Sequence, residues 1–317
     1  MPKYAYDPEY LPFLDALPTI SDLADPQGIV EGRATRAAMM GQATDPLPGV
    51  ARRDVAVPGR DGDPDVPVRV YAPAAAASAP RAAVVEIHGG GFLFGNVDMM
   101  DAWCDAVALQ HDAVVVSVEY RLAPEHPYPA GVEDCLAALR WTAANAAGLG
   151  VDPARIAVAG QSAGGGLAAA TALLARDRGG PALCFQLLEI PELDDRLETP
   201  SMKAFTDTPL WNRPNAIWSW RHYLGPLLGG DVPPYAAPAR ATDLAGLPPA
   251  YVSVMEFDPL RDEGIDYAAR MLQAGVSVEL HAFPGTFHGS GLITTAEISK
   301  RVSAESFAAL GRALARR

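Results

Sequence analysis

Short, unbroken runs of apolar and β-branched residues recur along the chain. They are AAVVEI at 82–87, AVVVSVEY at 113–120, RIAVAG at 155–160, LCFQLLEI at 183–190, YVSVMEF at 251–257 and VSVELHAF at 276–283. Runs of this kind suit strands buried on both faces, as in a parallel sheet. Helical patterns fall between and after them: Met100–His111, Gly131–Ala147 (apolar at Val132, Leu136, Leu139 and Trp141), Ala163–Ala175, Leu260–Ala274 and Ala296–Arg316. The alternation predicts a doubly wound α/β fold, a mostly parallel central sheet flanked by helices. Two earlier runs, VARRDVAV and VPVRVY, flank the turn-rich GRDGDPD and predict an antiparallel pair at the sheet edge, followed by a loop over 72–80.

Two stretches break the alternation. Residues 1–48 read as helical or irregular. Residues 190–237 are rich in proline and hold Trp211, Trp218 and Trp220. In an open α/β sheet ligands bind beyond the carboxyl ends of the strands, and insertions there often form a lid. The expected organisation is therefore an α/β core in 49–189 and 238–317, with a cap built from 1–48 and 190–237.

Composition narrows the function. The formal charge is −13, which excludes a phosphate-neutralising surface, so no nucleic-acid partner is expected. The charge-free run from Ile156 to Ala175 holds four Gly, a Gln and a Ser; it reads as strand, sharp turn and helix, so no membrane association is expected. The first twenty residues show no basic region followed by an apolar run. Cys104, Cys135 and Cys184 form no CxxC and are read as buried apolar side chains, which suits a reducing cytoplasm. Three Lys against 22 Arg, with many Ala, suggest a GC-rich genome.

The candidate chemistry starts at Gly160-Gln161-Ser162-Ala163-Gly164. A strand precedes it and a helix follows, and the two glycines permit a tight turn that presents Ser162 above the sheet. His88-Gly89-Gly90-Gly91 follows another strand. Its glycines leave backbone N–H groups able to converge on an oxyanion, whereas His88 itself is expected to brace the loop by hydrogen bonding. A nucleophilic serine needs a base and an orienting carboxylate, which follow it in the order acid, then His. Of His222, His281 and His288, only His288 lies in a loop just past a strand. Asp258 ends YVSVMEF at the active-site edge, while Asp262 and Glu263 fall in a first helical turn and Glu256 has the other strand phase.

With these residues in place, the chain resembles the hormone-sensitive-lipase-like (bacterial family IV) branch of the α/β-hydrolase esterases. The matching pieces are HGGGF (88–92), YRLAPEHPYPA (120–130), GQSAGGGLA (160–168), EFDPLRDEG (256–264) and FHG (287–289). The resemblance implies a Ser162, Asp258, His288 triad. It also implies an oxyanion hole from the amides of Gly90, Gly91 and Ala163, with Gly89 in the same loop. Short- to medium-chain carboxylic esters would be the substrates, and a homodimer through the last strand (276–283) would be possible. One departure stands out: Gln161 replaces the acidic residue usual before the serine.

Such a mechanism calls for no metal and no organic cofactor. Phe92, Phe94, Met202, Phe205, Trp211, Leu260 and Phe287 neighbour the motifs and are candidates to line an acyl or alcohol pocket, or to be ordinary core. Arg121, Glu125 and His126 are read as bracing. An amidase, a lactonase or an antibiotic-ester hydrolase on the same triad remains an alternative. A non-catalytic small-molecule receptor is disfavoured by the presence of His288.

Overall fold

The computed structural model describes residues 3–18, 20–21, 23–35 and 43–315. Eight strands form one sheet: β1 (Val50–Val57), β2 (Val66–Pro73), β3 (Arg81–Ile87), β4 (Ala113–Val118), β5 (Val151–Gln161), β6 (Phe185–Glu189), β7 (Ala250–Phe257) and β8 (Val278–Phe287), in the order β1-β2-β4-β3-β5-β6-β7-β8. The β1–β2 and β2–β4 pairs are antiparallel, and all later pairs are parallel. Every residue of AVVVSV in β4 is buried. That is the burial expected of a central strand covered on both faces.

Helices cover the two faces. On one side α3 (Ala130–Ala144), α5 (Ala163–Asp177) and α8 (Arg261–Gln273) pack through Leu136, Leu167 and Met271 into the largest apolar core. On the other, α2 (Asp101–His111) and α9 (Glu297–Ala315) pack through Val107 and Leu310. Residues 163–175 of α5 are all buried, which explains their near-complete lack of polar side chains without any membrane. Among the described residues no helix is long and apolar enough to cross a membrane.

The clearest departures from expectation are at a helix end and at the last strand. The predicted helix 131–147 stops at Ala144, and a short α4 (Ala146–Leu149) follows Asn145. The last strand continues past Phe283 through Pro284 and Gly285 to Phe287, with a register shift opposite Met255–Phe257. Gly285 adopts φ +72°, its N–H donates to Glu256 and its carbonyl accepts from Asp7 N–H, so the edge stays hydrogen-bonded through the irregularity. The closing helix is described to Ala315; its predicted end at Arg316 lies outside the described residues.

The two stretches outside the alternation meet each other. Residues 190–237 contribute α6 (Pro200–Ala204) and α7 (Arg213–Leu224), and the N-terminal stretch contributes a 3₁₀ turn (Pro8–Ala16) and α1 (Pro26–Glu31). Asn215 Nδ2 donates to Ile20 O (2.9 Å), and His222 Nε2 to Leu23 O (2.7 Å). Within the 1–48 stretch, residues 1, 2, 19, 22 and 36–42 lie outside the described residues.

Candidate active site

Ser162 stands where β5 turns into α5, with φ +59° and ψ −122°. Few non-glycine residues adopt such a backbone, and surrounding contacts must hold it. Ser162 N–H donates to Glu189 O (2.9 Å), and its carbonyl accepts from the N–H groups of Gly166 and Glu192 (both 3.0 Å). The flanking glycines are forced by close approach. A Cβ at Gly160 would lie 2.2 Å from Gly164 O, and one at Gly164 would lie 2.0 Å from Ile87 O. The positive end of the α5 dipole is thereby aimed at the site.

His288 follows β8 and places Nε2 2.9 Å from Ser162 Oγ, while its Nδ1 lies 2.7 Å from Asp258 Oδ2. Asp258 follows β7, is 1% exposed, and accepts a second hydrogen bond at Oδ1 from Leu260 N–H (2.8 Å). The aspartate thus fixes the imidazole with Nδ1–H toward the carboxylate and Nε2 facing the serine. The rival residues are engaged elsewhere. Asp262 accepts from Ser201 N–H, Glu256 from Gly285 N–H, and His281 is held by Glu279 and Glu305.

The glycine loop after β3 curves beside this chain of groups. Among the described residues, the amides of Gly90, Gly91 and Ala163 donate to no protein acceptor. Gly89, Gly90 and Gly91 line the same cavity as Ser162, and Ala163 opens α5. His88 is buried behind the loop. Its ring stacks on Tyr120 (centroids 4.3 Å apart) and Nδ1–H donates to Gly89 O (2.8 Å). Burial pushes its pKa down to about 4, so it stays neutral. Tyr120 OH donates to His88 O, and Ala123 N–H to Phe92 O. Arg121 forks onto Asp134, and Glu125 pairs with Arg33, whose Nε also reaches Leu93 O. These contacts tie the YRLAPEHPYPA stretch and the N-terminal stretch to the glycine loop.

The cavity above Ser162 and His288 has a volume of about 320 Å³. Of the seven apolar candidates, only Phe94 and Trp211 line it. Phe92 stacks on Tyr223 (4.0 Å) in the main core, and Phe205 packs against Tyr4 and Phe257. Phe287 lies against Tyr6 and Tyr10, while Met202 and Leu260 pack behind Trp211. Proximity to a motif in sequence put these five near the site, but their side chains point into the packing that supports it.

The rest of the wall comes from elements with no motif. Met99 and Met100 lie in the 3₁₀ turn (Val97–Met100) that leads into α2, Trp103 lies in the first turn of α2, and Val302, Ser303 and Ser306 lie on α9. Gln161 and Glu189, in register at the carboxyl ends of β5 and β6, also face the cavity. Burial raises the Glu189 carboxyl to about 7. Glu189 had a legible signal, an acid closing an apolar strand at the edge where ligands bind. The α2 and α9 residues carried none.

Among the described residues no cluster of three His, Cys, Asp or Glu side chains is placed to hold a metal ion. Cys104 and Cys135 are buried, Cys184 is half-buried, and all three are free thiols.

Comparison with known proteins adds to this geometry. Residues 84–291 match a family described as having the alpha/beta hydrolase fold. The chain is 46% identical over 288 residues to carboxylesterase NlhH of Mycobacterium tuberculosis, covering 89% of this chain and 88% of that protein. It is 42% identical over 289 residues to esterase LipI of the same organism, covering 90% and 88%. The solved structure of a bacterial heroin esterase superposes with a TM-score of 0.92 at 53% identity, covering 98% of this chain and 99% of that one.

Proposed function

The chain belongs to the hormone-sensitive-lipase-like esterases of the α/β-hydrolase fold and is a carboxylic ester hydrolase, and from that premise we propose that it works through an acyl-enzyme on Ser162 with esters of short to medium acyl chain. The observation that carries this reading is the hydrogen-bonded line Ser162–His288–Asp258, at 2.9 and 2.7 Å, on the floor of a cavity rimmed by undonated amides.

His288 Nε2 takes the Ser162 proton as Oγ attacks the ester carbonyl. Asp258 stabilises the imidazolium that results. The tetrahedral oxyanion accepts hydrogen bonds from Gly90, Gly91 and Ala163, each worth roughly 10²–10³ in rate. The imidazolium then protonates the leaving alcohol. Water attacks the acyl-enzyme, His288 removes its proton, and collapse returns that proton to Ser162.

A cavity of about 320 Å³ suits a small acyl group. Residues 1–48 and 190–237 act as the cap, which keeps long chains and emulsion surfaces away. The free thiols fit a cytoplasmic setting, and β8, which among the described strands pairs only with β7, offers an edge for a homodimer. Initial rates on p-nitrophenyl acetate, butyrate, octanoate and palmitate test the reading. The shorter chains should be turned over fastest; a maximum at palmitate would overturn it. Matched ester and amide substrates separate esterase from amidase activity.

A further inference from the structure

We infer that Glu189 is an anionic recognition point inside the catalytic cavity, so that the enzyme prefers esters bearing a protonated amine near the reacting carbonyl. The inference rests on the reading of Ser162 as nucleophile and goes beyond it to the class of substrate.

The placement follows from strand geometry. Side chains alternate across a sheet, so residues two apart share a face. Phe185 and Leu187 of β6, like Ala157 and Ala159 of β5, belong to the core under α2 and α9. Glu189 and Gln161 continue those two rows and lie directly opposite each other in register. Their side chains therefore leave the sheet side by side, next to Ser162 and toward the face covered by α9, whose Ser303 and Ser306 line the same cavity. Adjacent strands are about 4.8 Å apart. A group roughly four bonds from the reacting carbonyl can therefore reach from Ser162 to Glu189.

The carboxyl lacks a counter-charge. Among the described residues Glu189 makes no ion pair, and neither Lys nor Arg lines the cavity. The same cavity is lined by Met99, Met100, Met255 and Trp103, which solvate an anion poorly. Burial pushes its pKa up to about 7. Glu189 O serves Ser162 N–H, which accounts for the backbone of this residue but not for an acid in an apolar wall. A protonated amine would supply the missing charge and donate a hydrogen bond. The Trp103 ring and the methionine sulfurs favour a cation further. Gln161, opposite Glu189 in register, adds no competing negative charge.

The test compares kcat/KM near neutral pH for wild type and Glu189→Gln on two isosteric pairs. One is 2-(dimethylamino)ethyl butyrate against 3-methylbutyl butyrate, with the amine on the alcohol side. The other is ethyl 4-(dimethylamino)butyrate against ethyl 5-methylhexanoate, with the amine on the acyl side. A charge-assisted hydrogen bond predicts that wild type favours the amine in at least one pair by about tenfold or more. Glu189→Gln should bring that ratio close to one. The ratio is taken within each protein, so a general loss of activity cancels.

Wild-type ratios near one in both pairs would overturn the inference, and so would an unchanged preference in Glu189→Gln. Should the variant not fold, the wild-type ratios decide, because a cavity indifferent to charge turns both members of each pair over alike. Turnover of the neutral esters that survives Ser162→Ala would instead sink the acyl-enzyme reading, a separate result.

Discussion

The Trp211 indole lies so close over Gly91 that a Cβ on the glycine would stand 2.4 Å from Trp211 Cη2. Gly91 also adopts φ +59°, and its carbonyl accepts from Ser219 Oγ of α7 (2.9 Å). The cap stretch thus holds the glycine loop in the shape that turns its amides into the cavity. Gly91→Ala must displace either the loop or the indole. It should lower kcat on p-nitrophenyl butyrate by about 10², the value of one oxyanion donor, with a smaller change in KM. An unaltered kcat would mean that the Gly91 amide plays no part.

Ser219 is fully buried, and its hydroxyl spans from α7 to the loop. Ser219→Ala leaves the Gly91 carbonyl without this donor. A loss of about 1 kcal/mol in unfolding free energy is expected, with a lower kcat, read by urea denaturation and steady-state kinetics on the same preparation.

Asp258 accepts from both His288 Nδ1 and Leu260 N–H. Asp258→Asn keeps the shape but offers an amide group where the imidazole needs a carboxylate. Turnover should fall by about 10³–10⁴ with the fold intact. Glu256→Gln and Asp262→Asn, whose carboxylates serve Gly285 and Ser201, should cost far less. Equal losses in all three would remove the distinction drawn for Asp258.

Stability should fall as pH rises above neutrality. Burial raises the Glu86 and Glu192 carboxyls from the usual 4.5 to about 8; Ser117 Oγ donates to Glu86, and both Glu192 oxygens lack a partner. Folded protein therefore holds protons that the unfolded chain has released. The stabilisation is complete below about 4.5 and is lost as pH climbs to 8. His88, lowered from 6.5 to about 4, works in the opposite sense between those values, so the decline is cleanest from 6.5 to 8. Melting temperatures across that interval should drop for wild type and drop less for Glu86→Gln. A flat wild-type profile would contradict the assignment.

The sheet was legible because burial on both faces leaves apolar runs such as AVVVSV, which no exposed element would tolerate. The end of β8 was not. Pro284 and Gly285 read as a stop, and only the bonds from Gly285 to Glu256 and Asp7 keep the edge going. Ser162, Asp258 and His288 were legible because their chemistry fixes residue type and chain order, and the structure brings the three together. The cavity wall was largely hidden. Trp103 and Val302 are distant in sequence and line one cavity only because α2 and α9 cover the same face of the sheet. Phe92 shows the converse, since a residue beside the oxyanion loop turns its ring to Tyr223 and the core.

Labelling of the nucleophile tests the central claim most directly. The protein is treated with diethyl p-nitrophenyl phosphate, and intact mass and peptide mapping are followed together with residual esterase activity. One diethylphosphoryl group should appear on Ser162, in step with loss of activity, and Ser162→Ala should stay unmodified and inactive. Activity that persists after Ser162 is fully modified, or a Ser162→Ala variant that still turns over p-nitrophenyl butyrate, would contradict the account.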